Sequence, residues 1–176
     1  MTHEYPYEKG TKPTSQEILN QAVEIEKILA KLSPYQRKYF QVSPNFKWYE
    51  CWSGDLVNGI DIEKYVEPPR QYWVNALRHF LNMQLVADYL AMIYKKYVAI
   101  NYNSFYRTPF WNIHGEGSPD SRHMSARAGD TKPLHIILAM YKYAMIIVKL
   151  CPDMNGFKVY GTFVHADFNN NFMIYK

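Results

Sequence analysis

Two short stretches of the chain carry the residue types that do metal chemistry. The first lies in a polar run from 101 to 130, rich in Gly, Ser, Pro and Asn, and holds Ser121, His123 and Asp130. Histidine offers a ring nitrogen and aspartate a carboxylate oxygen, both good zinc donors. The residues between them give the chain room to turn back, so that both side chains can reach one point. The second stretch is the run GTFVHADF at 161–168. A strand alternates faces, which puts Phe163, His165 and Asp167 on one side and the apolar Val164, Ala166 and Phe168 on the other. The apolar set reads as core, and a His and an Asp are then aimed side by side from an anchored strand. Either stretch alone fits an ordinary polar surface equally well.

Other elements must position these groups. Residues 1–13 read as an extended polar arm containing His3. Ser15 is placed to cap a helix in which Ile18, Ala22, Ile25, Leu29 and Leu32 recur at three- and four-residue steps, ended by Ser33-Pro34. Residues 46–59 read as a loop with short extended pieces. Pro68-Pro69 precedes a helical stretch from about Arg70 to Lys96, as one helix or two. Val98 and Ile100 alternate with polar neighbours in a β-like way, and Asn101 to Asp130 reads as loop. Pro133 is expected to open a helix through Leu134, Ile137, Leu138, Tyr141, Met145 and Val148. Two strands, near 158–168 and 172–175, close the chain. The expectation is an α+β fold, a small antiparallel sheet flanked by helices. Residues 1–42 form an N-terminal arm and amphipathic helix, and residues 43–176 the main domain.

The bulk numbers fit one compact domain. The chain has 176 residues, 48% hydrophobic and 20% charged, enough apolar material for a core. The net charge of +4 fits an anionic partner such as a cell-wall polymer, but no dense Lys/Arg run supports nucleic acid. The 16 Tyr read as core and surface building material, or as a groove that stacks on sugars or bases. Cys51 and Cys151 match no metal or disulfide pattern, and read as free thiols. No stretch reaches the length of a membrane span, and no secretory h-region opens the chain.

Taken together, the polar stretches resemble a known pattern. The run Ser121 to Asp130 is similar to the S-x-H-x-x-G-x-A-x-D signature of the M15 zinc peptidases, the D-Ala-D-Ala carboxypeptidase and murein endopeptidase family, related in fold to the hedgehog signalling domain. SFYRTPFWN at 104–112 resembles the family's S-G-Y-R-S-P-x-x-N segment, FVHAD at 163–167 its F-V-H-x-D ending, and WYEC at 48–51 the start of the C-terminal-type domain. The motifs occur in the family's order over roughly residues 43–176. The resemblance implies that His123, Asp130 and His165 ligate zinc, with one coordination position left open for water. It implies that Arg107, the motif arginine, sits near the metal, either holding an oxyanion or anchoring the loop. Ser121 is expected behind the ligands.

The chain also departs from the pattern. The signature glycine is Ala126, and the glycine of S-G-Y-R is Phe105. The acidic residue that many members carry three positions before the last histidine is Thr162, which cannot take a proton. Asp167 is the nearest substitute, as general base or as a residue that orients a ligand. Glu116 and His114 are weaker candidates, and His79 and His135 read as structural or exposed. The resemblance implies a zinc peptidase acting on peptidoglycan peptides. With no signal peptide, it implies a phage product, either a lysin delivered from the host cytoplasm to the wall or a wall-cutting part of the virion. The rival expectation is a virion structural or assembly protein, partnered by phage structural proteins, that kept the fold and lost the activity.

Overall fold

The computed structural model describes residues 13–52, 56–57, 60–61, 66–151, 153–169 and 173–174. The arm expected at 1–13, with His3, therefore lies outside the described residues except for Pro13, as do Pro152, Phe172 and Tyr175.

Helix α1 (Ser15–Leu29) is capped by Thr14, one residue earlier than expected. The Thr14 hydroxyl accepts from Glu17 N while the Glu17 carboxylate accepts from Thr14 N, a reciprocal capping box that Ser15 would leave incomplete. Ile18, Ala22 and Leu29 form its buried face against a later helix. Helix α1 ends at Leu29, before the expected stop at Ser33-Pro34, and Ser33 instead caps a short second helix, α2 (Pro34–Lys38). Two small antiparallel pairs follow, β1 (Gln41–Ser43) with β2 (Phe46–Lys47) and β3 (Leu56–Val57) with β4 (Ile60–Asp61). A tight 3-10 turn at Trp48–Cys51 lies between them.

The central helix α3 (Trp73–Tyr94) is one continuous element, entered through a 3-10 turn at Arg70–Tyr72. It is buried on nearly all sides because α1 lies along it, and the main sheet and the last helix also contact it. Arg70 bonds Glu26 of α1 at 2.8 Å, and Arg37 grips Glu67 through two nitrogens at 2.9 Å each. The α1 residues join α3 and the sheet in one core cluster.

The sheet contains β5 (Ile100–Ser104), β6 (Ala128–Pro133), β7 (Gly156–Val159), β8 (Val164–Asp167) and β9 (Met173–Ile174), in the order β5-β6-β8-β7-β9. All pairings are antiparallel except that of β9, which runs parallel to β7 at the edge. The fold is α+β, as expected. The segment 101–130, expected to be loop, is instead opened by β5 and closed by β6, with helix α4 (Pro109–His114) and a 3-10 turn at Arg122–Ser125 between them, so Asp130 lies on a strand.

Two further elements differ from expectation. The segment 158–168 is not one strand but the hairpin of β7 and β8, closed where Tyr160 N donates to the Phe163 carbonyl. Pro133 opens no helix; it ends β6 opposite Ile100, and Leu134 N extends the pairing by donating to Ala99 O. His135 then takes a positive φ of 60°, which breaks any helical run, and Ile137 is 99% exposed. The last helix, α5, begins only at Met140 and runs to Leu150. The helical spacing of Leu134, Ile137 and Leu138 was a coincidence of composition that ladder hydrogen bonds override. Among the described residues no helix is long and apolar enough to cross a membrane.

Candidate metal centre

The ladder sets the site. Asp130 on β6 pairs directly with His165 on β8, and Ala128 with Asp167. Cross-strand partners point to the same face, so Asp130, His165 and Asp167 rise from one side of the sheet. The other side carries Gly129 and Ala166, and α3 and α5 contact these strands. The face alternation expected at 163–168 holds: Val164, Ala166 and Phe168 are buried in the core.

His123 arrives from outside the sheet. It lies in the 3-10 turn that follows Ser121, and Arg107 N and Ala126 N both donate to its carbonyl. Ala126 then adopts φ 52° and ψ 30°, a left-handed residue that turns the chain into β6. A non-glycine residue thus holds a conformation that glycine adopts most readily.

Three donor atoms converge. His123 Nε2 lies 3.2 Å from His165 Nδ1 and 3.4 Å from Asp130 Oδ1, and His165 Nδ1 lies 2.8 Å from Asp130 Oδ1. Bonds of about 2.0–2.1 Å at tetrahedral angles place ligand atoms roughly 3.3 Å apart. The observed spacing matches that demand. This buried His–Asp–His trio can hold a metal ion.

The outer partners point the same way. His123 Nδ1 donates to the Phe105 carbonyl at 2.6 Å, and His165 Nε2 faces Asp167 Oδ2 at 3.2 Å. Each ring is thereby turned to present its other nitrogen's lone pair to the centre, the arrangement that metal-binding histidines use. Two lone pairs and a carboxylate then face one another, which only a cation between them makes favourable. In the metal-free protein a proton takes that part. Burial alone would lower the His165 pKa, but hydrogen bonds to Asp130 and Asp167 raise it to about 9. Burial would raise the Asp130 carboxyl, yet the hydrogen bonds with His123 and His165 hold it well below the usual carboxylate range. Burial lowers His123, with Asp130 opposing.

Arg107, Asp167 and Ser121 fall around this trio, and the other candidates do not. Arg107 Nη2 bonds Asp130 Oδ2 at 3.0 Å while its Nε bonds Ser104 Oγ at 2.7 Å, so it anchors the carboxylate from behind. Asp167 is buried with Oδ1 3.4 Å from Arg122 Nε. Across the hairpin stands Gly156, where any Cβ would collide with the Asp167 carboxylate. Ser121 heads the 3-10 turn and lines the cleft above the trio. Thr162 is exposed in the hairpin turn. His114 bonds the Phe110 carbonyl within its own helix, Glu116 is exposed, and His135 is exposed with its carbonyl bound to Lys96.

Some contributors were not visible in the residue pattern. Phe105 stacks flat on Tyr102 at 4.6 Å in the aromatic core, so it fills space while its carbonyl orients His123. His79 of α3 sits under the opposite face of the strands, between Tyr102 OH at 3.0 Å and the Ala166 carbonyl at 3.2 Å. Burial drives its pKa down to about 3, so it stays neutral. Gly129 is what admits it, since a Cβ there would lie 2.6 Å from the His79 ring. An open cleft of about 430 Å³ exposes the edge of the trio, lined by Ser118, Asp120, Arg122, Lys158, Tyr160 and His165 among others. No model of a known protein family matches the chain, and no curated protein matches it.

Proposed function

We propose that the chain is a zinc-dependent peptidase that hydrolyses peptide bonds of bacterial peptidoglycan. The observation that carries this reading is the spacing of His123 Nε2, Asp130 Oδ1 and His165 Nδ1, each backed by its own outer partner. Two imidazoles and one carboxylate are a catalytic zinc donor set. The likeness of 104–112, 121–130 and 163–167 to the M15 motifs, and the hedgehog-like fold that likeness implies, support the same reading. So does the open cleft beside the trio.

In this reading zinc supplies Lewis acidity and brings the pKa of water down to about 7. The chain's own groups do the rest. His123, Asp130 and His165 hold the ion. Arg107 keeps one Asp130 oxygen occupied, so that the other faces the centre. Asp167 faces the ring nitrogen of His165 that is turned away from the trio, which suits an orienting role better than that of the proton acceptor. A wall-degrading protein of a phage, either a lysin or a virion part, accommodates this activity.

The test is direct. The purified protein is assayed for bound metal, then incubated with purified sacculi with and without chelator. About one zinc per chain with chelator-sensitive release of muropeptides is expected. A different bound metal, or none, would end the zinc reading. Zinc without cleavage would favour the rival, a phage structural or assembly protein that retains the centre and has lost the activity.

A further inference from the structure

We infer that Lys158 is a specificity residue that binds a free carboxylate of the substrate peptide beside the bond to be cut. The inference rests on the peptidase reading above and adds the chemical class of substrate that the cleft takes.

The β7–β8 register pairs Lys158 directly with His165. Paired residues share a face and their Cβ atoms lie about 4.5–5.5 Å apart. The Lys158 stem therefore starts next to a donor of the trio and on its side of the sheet. Lys158, His165 and Tyr160 line the same cleft. The ammonium lies 5.3 Å from the centre of the Tyr160 ring, and that ring stacks on Phe163 at 4.3 Å. Cation–ring attraction of this kind holds a lysine without neutralising it.

The other charges in the cleft are committed or differently placed. Arg122 points inward, with Nε toward Asp167 and Nη1 donating to the Phe168 carbonyl at 2.9 Å. Asp167 is buried against His165. Asp120 is exposed on the loop wall. Among the described residues no carboxylate pairs with Lys158. A compact cation on a flexible stem, partly withdrawn from water and not ion-paired, suits a carboxylate as a point-charge partner. Lysine-type peptidoglycan stems carry two such groups next to amide bonds: the terminal D-alanine carboxylate and the free α-carboxylate of γ-linked D-glutamate.

The experiment uses the full chain and three synthetic stem peptides: the free acid, its C-terminal amide, and the peptide amidated at the D-glutamate α-carboxylate. Binding to wild type, K158M and K158R is measured calorimetrically on metal-free protein, and cleavage on the zinc-loaded protein. A charge-assisted hydrogen bond corresponds to roughly a 10-fold or larger change in affinity. K158M is expected to weaken binding of the free acid about 10-fold and to raise KM with kcat little changed. K158R restores both. One of the two amides should bind wild type and K158M alike, and which one it is identifies the carboxylate. Equal losses on all three peptides, or no loss, would overturn the inference, as would a wild type that binds none of them. Carboxylate-dependent binding without cleavage would sink the peptidase reading and leave the Lys158 site standing. Cleavage indifferent to Lys158 would do the reverse.

Discussion

Asp130 and His165 reach the centre on hydrogen-bonded strands, whereas His123 reaches it on a loop. The two routes impose geometry differently. On the strand side, one ladder pairing fixes both donors, because register determines which side chains are neighbours and on which face. A slip by one residue would pair Asp130 with Val164 or Ala166 and put it on the face opposite His165. On the loop side no ladder exists, and position is set by separate bonds: two backbone N–H groups on the His123 carbonyl, the Phe105 carbonyl on its ring, and the left-handed turn at Ala126. The strand donors are thus fixed by the fold, and the loop donor by local chemistry laid over it.

The largest effect should come from removing a donor on either side. Asp130→Ala and His123→Ala are expected to cost more metal affinity than the about 10–100-fold that loss of an outer partner costs. A competition titration against a chelator reads this. If either variant kept wild-type affinity, that residue would not be a ligand and the convergence of the two routes would be incidental. The same titration carries a pH signature. A proton on His165 must leave before the metal enters, and its pKa of about 9 in the metal-free protein is raised. Apparent affinity should therefore rise with pH, up to about tenfold per unit, and level off above about 9. Asp130→Ala removes the larger of the two hydrogen bonds that raise His165, so its proton competition should end at lower pH.

Asp167→Asn sharpens the strand side alone. It keeps the shape opposite Gly156 and removes the charge behind His165. About 10–100-fold weaker metal binding is expected, with the proton-competition midpoint moved to lower pH. Unchanged metal affinity with lost turnover would instead make Asp167 the proton acceptor. His123 binding geometry should be indifferent to this change, because its outer partner is a backbone carbonyl.

The contrast between strand and loop also explains what was legible in the residues. Half of the strand side was readable: alternation at 163–168 separated His165 and Asp167 from Val164 and Ala166, but Asp130, expected at the end of a loop, stands on β6. The helix over 73–94 was readable because a long apolar periodicity has few other outcomes. What escaped depends on partners far away in sequence. Leu134 to Leu138 has helical spacing, yet pairing with the strand before it and the positive φ of His135 decide otherwise. His79, read as structural or exposed, is structural. Its place under Ala166 follows only from the packing of α3 on the sheet and from the space left by Gly129. Lys158 became a neighbour of His165 only once the hairpin register was fixed. The Phe105 carbonyl is backbone, and no side-chain motif announces it.

The smallest effect tests the loop side through Ala126. A non-glycine residue in the left-handed region costs roughly 1–2 kcal/mol. Ala126 is fully buried, and its methyl returns about 0.8 kcal/mol by burial. The greater freedom of glycine in the unfolded chain takes back roughly another 0.5–1 kcal/mol, so Ala126→Gly should leave stability unchanged to within about 0.5 kcal/mol. For a chain of this length that bounds the change in Tm at about 1–2 °C, measurable by calorimetry on the metal-free protein. Metal affinity should not change, since the bonds to the His123 carbonyl and ring remain. A fall in Tm well beyond about 2 °C would mean that the buried methyl outweighs the strain. The loop would then be held by the core as the strands are, and the distinction between the two routes to the centre would collapse.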